Sequence, residues 1–171
     1  EGGAGGDTIN GGAGDDTIRD EGFGAASIDG GDGNDHLIVN IRLLDGAIGT
    51  VLGGAGGDLV EFSGFAGTGL SFDLGDGNDR AIVYDANVSG AVFSLGAGSD
   101  VVTLDRGLTI QPDFAITISD FQTGAGGDVL DWVEFVRNSR TSWQFGYFYR
   151  EDGSINYNPF GEGRARLVQS G

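Results

Sequence analysis

An all-β solenoid of stacked strand-and-turn coils is the fold that this sequence predicts, and three observations predict it. A glycine-rich unit of nine residues opens the chain and returns at wider intervals. Short apolar segments between the returns alternate with the period of two that marks strands, and no segment carries a capped apolar stripe of helical period. Glycine supplies 35 of the 171 residues, far above the roughly 7% of ordinary proteins. Collagen is excluded, because there is no strict Gly-X-Y period and there are only 2 prolines. With 39% hydrophobic and 10% aromatic residues, the chain has enough apolar material to pack one domain with a small appended cap, which argues against a disordered tract.

The units are read in order. Gly2-Gly3-Ala4-Gly5-Gly6-Asp7-Thr8-Ile9-Asn10 is followed at once by Gly11-Gly12-Ala13-Gly14-Asp15-Asp16-Thr17-Ile18-Arg19. A degenerate unit spans Glu21 to Asp29 and keeps Gly22, Gly24 and Ile28, with Ala26 where the aspartate belongs. The pattern recovers at Gly30-Gly31-Asp32-Gly33-Asn34-Asp35-His36-Leu37-Ile38. Later units start at Gly53, Leu74, Leu95 and Thr123, at spacings of 23, 21, 21 and 28 residues counted from Gly30, and carry Asp58, Asp79, Asp100 and Asp128. Segments such as Leu70–Leu74 and Ala91–Leu95 read as strands between them. The eighth position of each unit is expected in the core, as Ile9, Ile18, Ile28, Leu37, Val60, Ala81, Val102 and Leu130. Phe62, Phe72, Leu74, Phe93, Leu95 and Leu104 join from neighbouring strands.

Charge and composition narrow the function. Nine basic against 26 acidic side chains leave a net charge of −17, which disfavours nucleic acid and anionic membranes as partners and favours cations. With no cysteine, any staple must be built from oxygen ligands. No run approaches the ~20 apolar residues of a membrane span, and the first residues do not read as the basic, then apolar, then small-residue pattern of a signal peptide. The lack of methionine leads to the expectation that the chain is a piece of a longer protein.

The units match Gly-Gly-x-Gly-x-Asp-x-U-x, where U is a large apolar residue, and the chain thereby resembles the RTX (repeats-in-toxin) family of calcium-binding nonapeptide repeats over residues 2 to 131. Glycines at positions two and four permit positive φ and a tight turn whose carbonyls converge, and the sixth-position aspartate points into the same space. Calcium wants about six to eight oxygens at roughly 2.3–2.6 Å, so two stacked turns are needed for each ion.

The resemblance implies a calcium-binding parallel β-roll over residues 1–104, followed over 105–171 by the last calcium turn and a truncated, β-rich C-terminal cap. It also implies the ligand sets. Carbonyls at positions two and four and the aspartate of one turn face carbonyls at positions one and three and the aspartate of the next. Gly12, Gly14 and Asp16 then face Gly30, Asp32 and Asp35. Gly31 and Gly33 face Gly53, Ala55 and Asp58, and Gly54 and Gly56 face Leu74, Asp76 and Asp79. Gly75 and Gly77 face Leu95, Ala97 and Asp100, and Gly96 and Gly98 face Thr123, Ala125 and Asp128. Gly3, Gly5 and Asp7 belong to the other edge and are expected to pair with a turn preceding Glu1.

Because one motif recurs per 21 to 23 residues, the roll is expected to be asymmetric. About four to six calcium ions should run in single file past Asp16, Asp35, Asp58, Asp79, Asp100 and Asp128, with nearly none beside Asp45, Thr68 and Ser89. Ile118-Ser119-Asp120-Phe121 with Gly127–Asp131, and then Asn158–Gly161 and Arg164–Gly171, resemble the closing segments of large proteins of this kind that leave the cell by type I secretion.

No catalytic constellation is read. His36 is expected on the surface, Asp128, Asp131 and Glu134 as ligands or solvated surface, and the aromatic stretch Trp143–Arg150 as a strand closing the roll. Arg137, Arg140, Arg150, Arg164 and Arg166 are expected to balance local acidity. The resemblance implies a secreted or surface-associated module of a Gram-negative bacterium, such as part of an adhesin, that folds on calcium outside the cell. Two alternatives stay open: the stabilising domain of a secreted enzyme, and a glycan-binding module using the aromatic tail. Ice binding is disfavoured, because outward positions read Thr8, Thr17, Ser27, His36, Leu59, Arg80 and Val101 rather than a regular threonine ladder.

Overall fold

A computed structural model describes residues 1–42, 49–65, 69–87, 90–104 and 116–131. The opposite-edge positions Asp45, Thr68 and Ser89, together with Glu134, the aromatic stretch and the arginines from Arg137 onward, lie outside the described residues.

Every regular element among them is a strand. In chain order these are β1 (Thr8–Ala13), β2 (Thr17–Phe23), β3 (Ser27–Asp32), β4 (His36–Arg42), β5 (Gly49–Ala55), β6 (Leu59–Phe65), β7 (Leu70–Asp76), β8 (Arg80–Asn87), β9 (Val92–Ser94), β10 (Val101–Leu104), β11 (Thr117–Ile118) and β12 (Val129–Asp131). Odd strands form one six-stranded sheet, in the order β1-β3-β5-β7-β9-β11, and even strands form another, in the order β12-β10-β8-β6-β4-β2. All pairings are parallel. The chain thus crosses from one sheet to the other at every turn and returns one coil higher, which is a parallel β-roll.

The repeat dictates the register. In the odd sheet Ile9, Ile28, Val51, Phe72, Phe93 and Ile118 stack in one inward column. In the even sheet Ile18, Leu37, Val60, Ala81, Val102 and Leu130 do the same. Their alternation with polar neighbours buries one face of each sheet against the other. The expected core positions all fall there, fully buried in the middle coils and partly buried at Ile9 and Leu130. Phe72 stacks on Phe93 with centroids 4.4 Å apart and meets Phe62 edge-on at 5.4 Å, so three aromatic rings of successive coils pack together in the core.

Consecutive nonapeptides enter opposite sheets, so the outward positions divide into two columns. Thr8, Ser27, Thr50, Ser71, Val92 and Thr117 line the odd sheet. Thr17, His36, Leu59, Arg80, Val101 and Val129 line the even one. His36 is partly exposed as expected, and its Nε2 lies 3.4 Å from Glu61 Oε1.

Candidate metal centre

The turns between odd and even strands lie along one edge of the roll. In each of them the second and fourth glycines take positive φ, for example 115° at Gly54 and 131° at Gly56. The turns sit so close that an added Cβ on Gly54 would lie 2.8 Å from the carbonyl carbon of Gly31 one coil earlier. The fourth-position N–H donates to the third-position carbonyl of the next coil, in the pairs Gly14–Asp32, Gly33–Ala55, Gly56–Asp76 and Gly77–Ala97, at 2.7–2.8 Å. Each of those carbonyls keeps a second lone pair.

This stacking brings the sixth-position aspartates into one file. The Oδ1 of Asp35 accepts the main-chain N–H of Asp16 at 2.8 Å, and that of Asp58 accepts from Asp35 at 2.8 Å. Asp79 accepts from Asp58 at 2.7 Å, Asp100 from Asp79 at 2.9 Å and Asp128 from Asp100 at 3.1 Å. The other carboxylate oxygen tells more. The Oδ2 atoms of Asp16, Asp35, Asp58, Asp79 and Asp100 are buried without any hydrogen-bond partner, whereas Asp128 Oδ2 accepts the N–H of Gln122 at 2.6 Å.

Such a file is electrostatically unfavourable by itself. Burial pushes Asp79 up to about 6, with the neighbouring carboxylates Asp58, Asp100 and Asp76 adding to the rise against the favourable N–H of Asp58. Asp58 and Asp100 are raised for the same leading reason. Buried, unpartnered carboxylate oxygens call for a proton or a cation.

Among the described residues no three His, Cys, Asp or Glu side chains gather to hold an ion by themselves. A cation at the ladder would therefore take most of its oxygens from main-chain carbonyls of the turns. An all-oxygen set with one orphaned carboxylate oxygen per coil fits a hard cation with irregular geometry.

A second, outer ladder ties the same turns. Asp15 Oδ1 accepts the N–H of Asn34 at 2.8 Å, Asn34 Oδ1 accepts from Gly57 at 2.8 Å, and Asn78 Oδ1 accepts from Ser99 at 2.9 Å.

The opposite edge differs. Asp7 stacks beneath Ala26, since the Ser27 N–H donates to the Asp7 carbonyl at 2.8 Å. Above Ala26, whose carbonyl accepts the Thr50 N–H, come Gly49, its register partner Leu70, then Ala91 and Ile116, each one residue before its strand's aligned partner. Apolar or glycine residues thus fill the column that aspartates fill on the other edge, and Asp7 is the exception. Within the first turn Gly5 takes positive φ and Gly3 does not. Asp7, expected to pair with a turn before Glu1, has the degenerate Glu21–Ala26 turn as its described neighbour.

The last motif turn departs from the stack. An added Cβ on Gly124 would meet nothing within 4 Å, so Gly124 does not sit on Gly96 as Gly96 sits on Gly75, although the Gly126 carbonyl still accepts the Ser99 hydroxyl. Asp120 explains the departure. Placed over Leu95, its Oδ1 accepts the N–H of Leu95 at 2.8 Å, and its Oδ2 accepts the N–H of Gly96 at 2.9 Å and the Ser94 hydroxyl at 3.0 Å. Burial would raise Asp120, but these donors hold it below the usual carboxylate range. It lies just past β11, the last odd strand among the described residues. The nonapeptide frame assigned it no such part.

The frame also passed over Asp20, one residue too many between two units. It stands in the inward column of Val39, Phe62, Val83 and Leu104 and is 2% exposed. Its place was legible from alternation, two residues after Ile18, once the frame was set aside.

No family model, curated protein or solved structure matches this chain.

Proposed function

We propose that this chain is a calcium-binding β-roll of the RTX type, a module of a larger extracellular or surface protein that leaves the cell by type I secretion and folds on meeting calcium. One observation carries the reading: five buried Oδ2 atoms, from Asp16, Asp35, Asp58, Asp79 and Asp100, stand in file without a partner. These carboxylates, with the carbonyls of the stacked turns around them, would hold the ions, whose charge would offset the mutual repulsion of the file. Glycine entropy and a net charge of −17 both oppose compaction of the metal-free chain. Binding to the folded form alone then draws the equilibrium towards the roll. Low calcium inside the cell would keep the chain expanded for export, and higher calcium outside would fold it.

The test is circular dichroism of the whole chain in chelator, in millimolar calcium and in millimolar magnesium. The chelated chain is expected to be largely unstructured and to gain sheet cooperatively with calcium. Magnesium should fail, because it demands near-octahedral geometry at shorter distances. A sheet spectrum that chelation leaves unchanged would refute the folding switch.

A further inference from the structure

On the aspartate edge three of the five orphaned oxygens, those of Asp16, Asp35 and Asp58, have a fixed neighbour, the glycine that opens their own turn, while the turns of Asp79 and Asp100 open with Leu74 and Leu95. An added Cβ would lie 2.9 Å from Asp16 Oδ2 at Gly11, 2.5 Å from Asp35 Oδ2 at Gly30, and 2.7 Å from Asp58 Oδ2 at Gly53. The same relation recurs once on the opposite edge with a carboxylate from elsewhere. Gly2, the first residue of its Gly-Gly-Ala-Gly turn, lies against the carboxylate of Asp20, whose Cγ would be 2.8 Å from an added Cβ. Asp20 Oδ1 is buried without a hydrogen-bond partner.

Asp20 is not a sixth-position aspartate. It is a β2 residue on the neighbouring coil, held beside Gly2 by the Gly2 N–H to Arg19 carbonyl bond of 2.9 Å. On that coil the sixth position is Ala26, 4% exposed and without a ligand atom in its side chain. The turn below supplies Asp7, whose Oδ2 accepts the Gly3 N–H at 3.0 Å. Burial raises the Asp20 carboxyl above its ordinary value, and the charge of Asp7 adds to the rise. A lone carboxylate in a column otherwise built of valine, phenylalanine and leucine is costly unless something neutralises it.

We infer that Asp20 and Asp7 together hold a divalent cation at the opposite edge of the first coil, Asp20 replacing the carboxylate that Ala26 does not provide. The inference rests on the calcium reading of the main ladder and adds to it a site outside the nonapeptide frame, next to a column that apolar residues and Gly49 otherwise fill among the described residues.

Equilibrium dialysis of the whole chain against calcium alone tests it by counting bound ions at saturation. Asp20→Asn is expected to lose one ion, Asp7→Asn to lose one, and the double variant to lose no more than either. Asp58→Asn serves as the ladder control. Should Asp20→Asn fail to fold in calcium, Asp20→Val, which matches the Val39 and Val83 column, provides a folded variant with the same expected loss. A folded Asp20 variant that binds the wild-type number overturns the inference while leaving the ladder reading intact, as does a double variant that loses two. A wild-type chain that binds no calcium overturns both.

Discussion

Two glycines with nearly the same backbone and different surroundings separate the strain of a turn from the stacking of coils. Gly12 and Gly54 both occupy the second position of a motif turn, with φ of 101° and 115°. Alanine at either is strained, by about 1–3 kcal/mol for a non-glycine residue held in this region. At Gly12 a Cβ would meet nothing within 4 Å, so that term stands alone. At Gly54 it would press on the carbonyl carbon and nitrogen of Gly31, at 2.8 and 3.0 Å. These are backbone atoms of a hydrogen-bonded coil that cannot swing aside, and crowding of this kind adds about 1–3 kcal/mol. Gly54→Ala should therefore destabilise the calcium-loaded chain by about 2–6 kcal/mol, and Gly12→Ala by about 1–3 kcal/mol. Urea unfolding at saturating calcium, followed in the sheet band of the circular dichroism spectrum, gives both values. Equal losses at the two sites would mean that successive turns do not touch as described, and the stacked geometry of the ladder would fall with them.

Asp58→Asn keeps an oxygen for the Asp35 N–H but removes the charge beside the orphaned site. It should raise the calcium midpoint by roughly tenfold, about 1.4 kcal/mol, and by more than Asp7→Asn does, because Asp58 lies between two coils of the file. A titration with equal midpoints would contradict the assignment. Burial raises Asp58, Asp79 and Asp100 above the ordinary 3.8, so the folded chain without calcium binds protons more tightly than the unfolded chain. That contribution is fully present below about pH 4 and is lost as pH rises through about 6, where Asp79 titrates. Chelated protein should accordingly gain sheet on acidification from pH 7 to pH 4, Asp120 opposing the trend weakly because it is lowered. No gain, by circular dichroism, would argue against the buried file. Asp120→Ala leaves the Leu95 and Gly96 N–H groups and the Ser94 hydroxyl without their acceptor, and should cost about 2–3 kcal/mol in the same urea assay.

What could be read from the sequence followed its two periods. Alternation of two placed Ile28, Val60, Phe72 and Leu104 inside, because a strand has no other way to bury one face. The spacing of Gly30, Gly53, Leu74 and Leu95 announced one motif per coil, because a coil that closes on itself must bring the same turn back to the same edge. Side chains whose part depends on where the repetition stops were not legible. Asp120 meets the Leu95 and Gly96 N–H groups only because the last turn lengthens after Ile118, whereas Asp20, which the nine-residue frame leaves between two units, was legible from alternation alone. Thr8 and Thr17 look like neighbours in one ladder, yet successive units cross to opposite sheets, so local order misleads about which surface each joins.

As far as the turn of Asp100, the coils are unequal in length at one edge only. Aspartates hydrogen-bonded to each other lie 19, 23, 21, 21 and 28 residues apart, while the turn from fourth-position glycine to aspartate is always three residues long, as in Gly33–Asp35 and Gly77–Asp79. Only the last coil lengthens on the aspartate edge, between Ile118 and Asp128. In the earlier coils the slack lies in the far ends of the even strands, as at the register shift after Phe62, and where even strands hand over to odd ones, as between Arg42 and Gly49. Because the entropy of closing a loop grows only slowly with its length, that side of the molecule is where foreign peptide could be grafted, coil after coil at strand spacing, without disturbing the aspartate file across the roll.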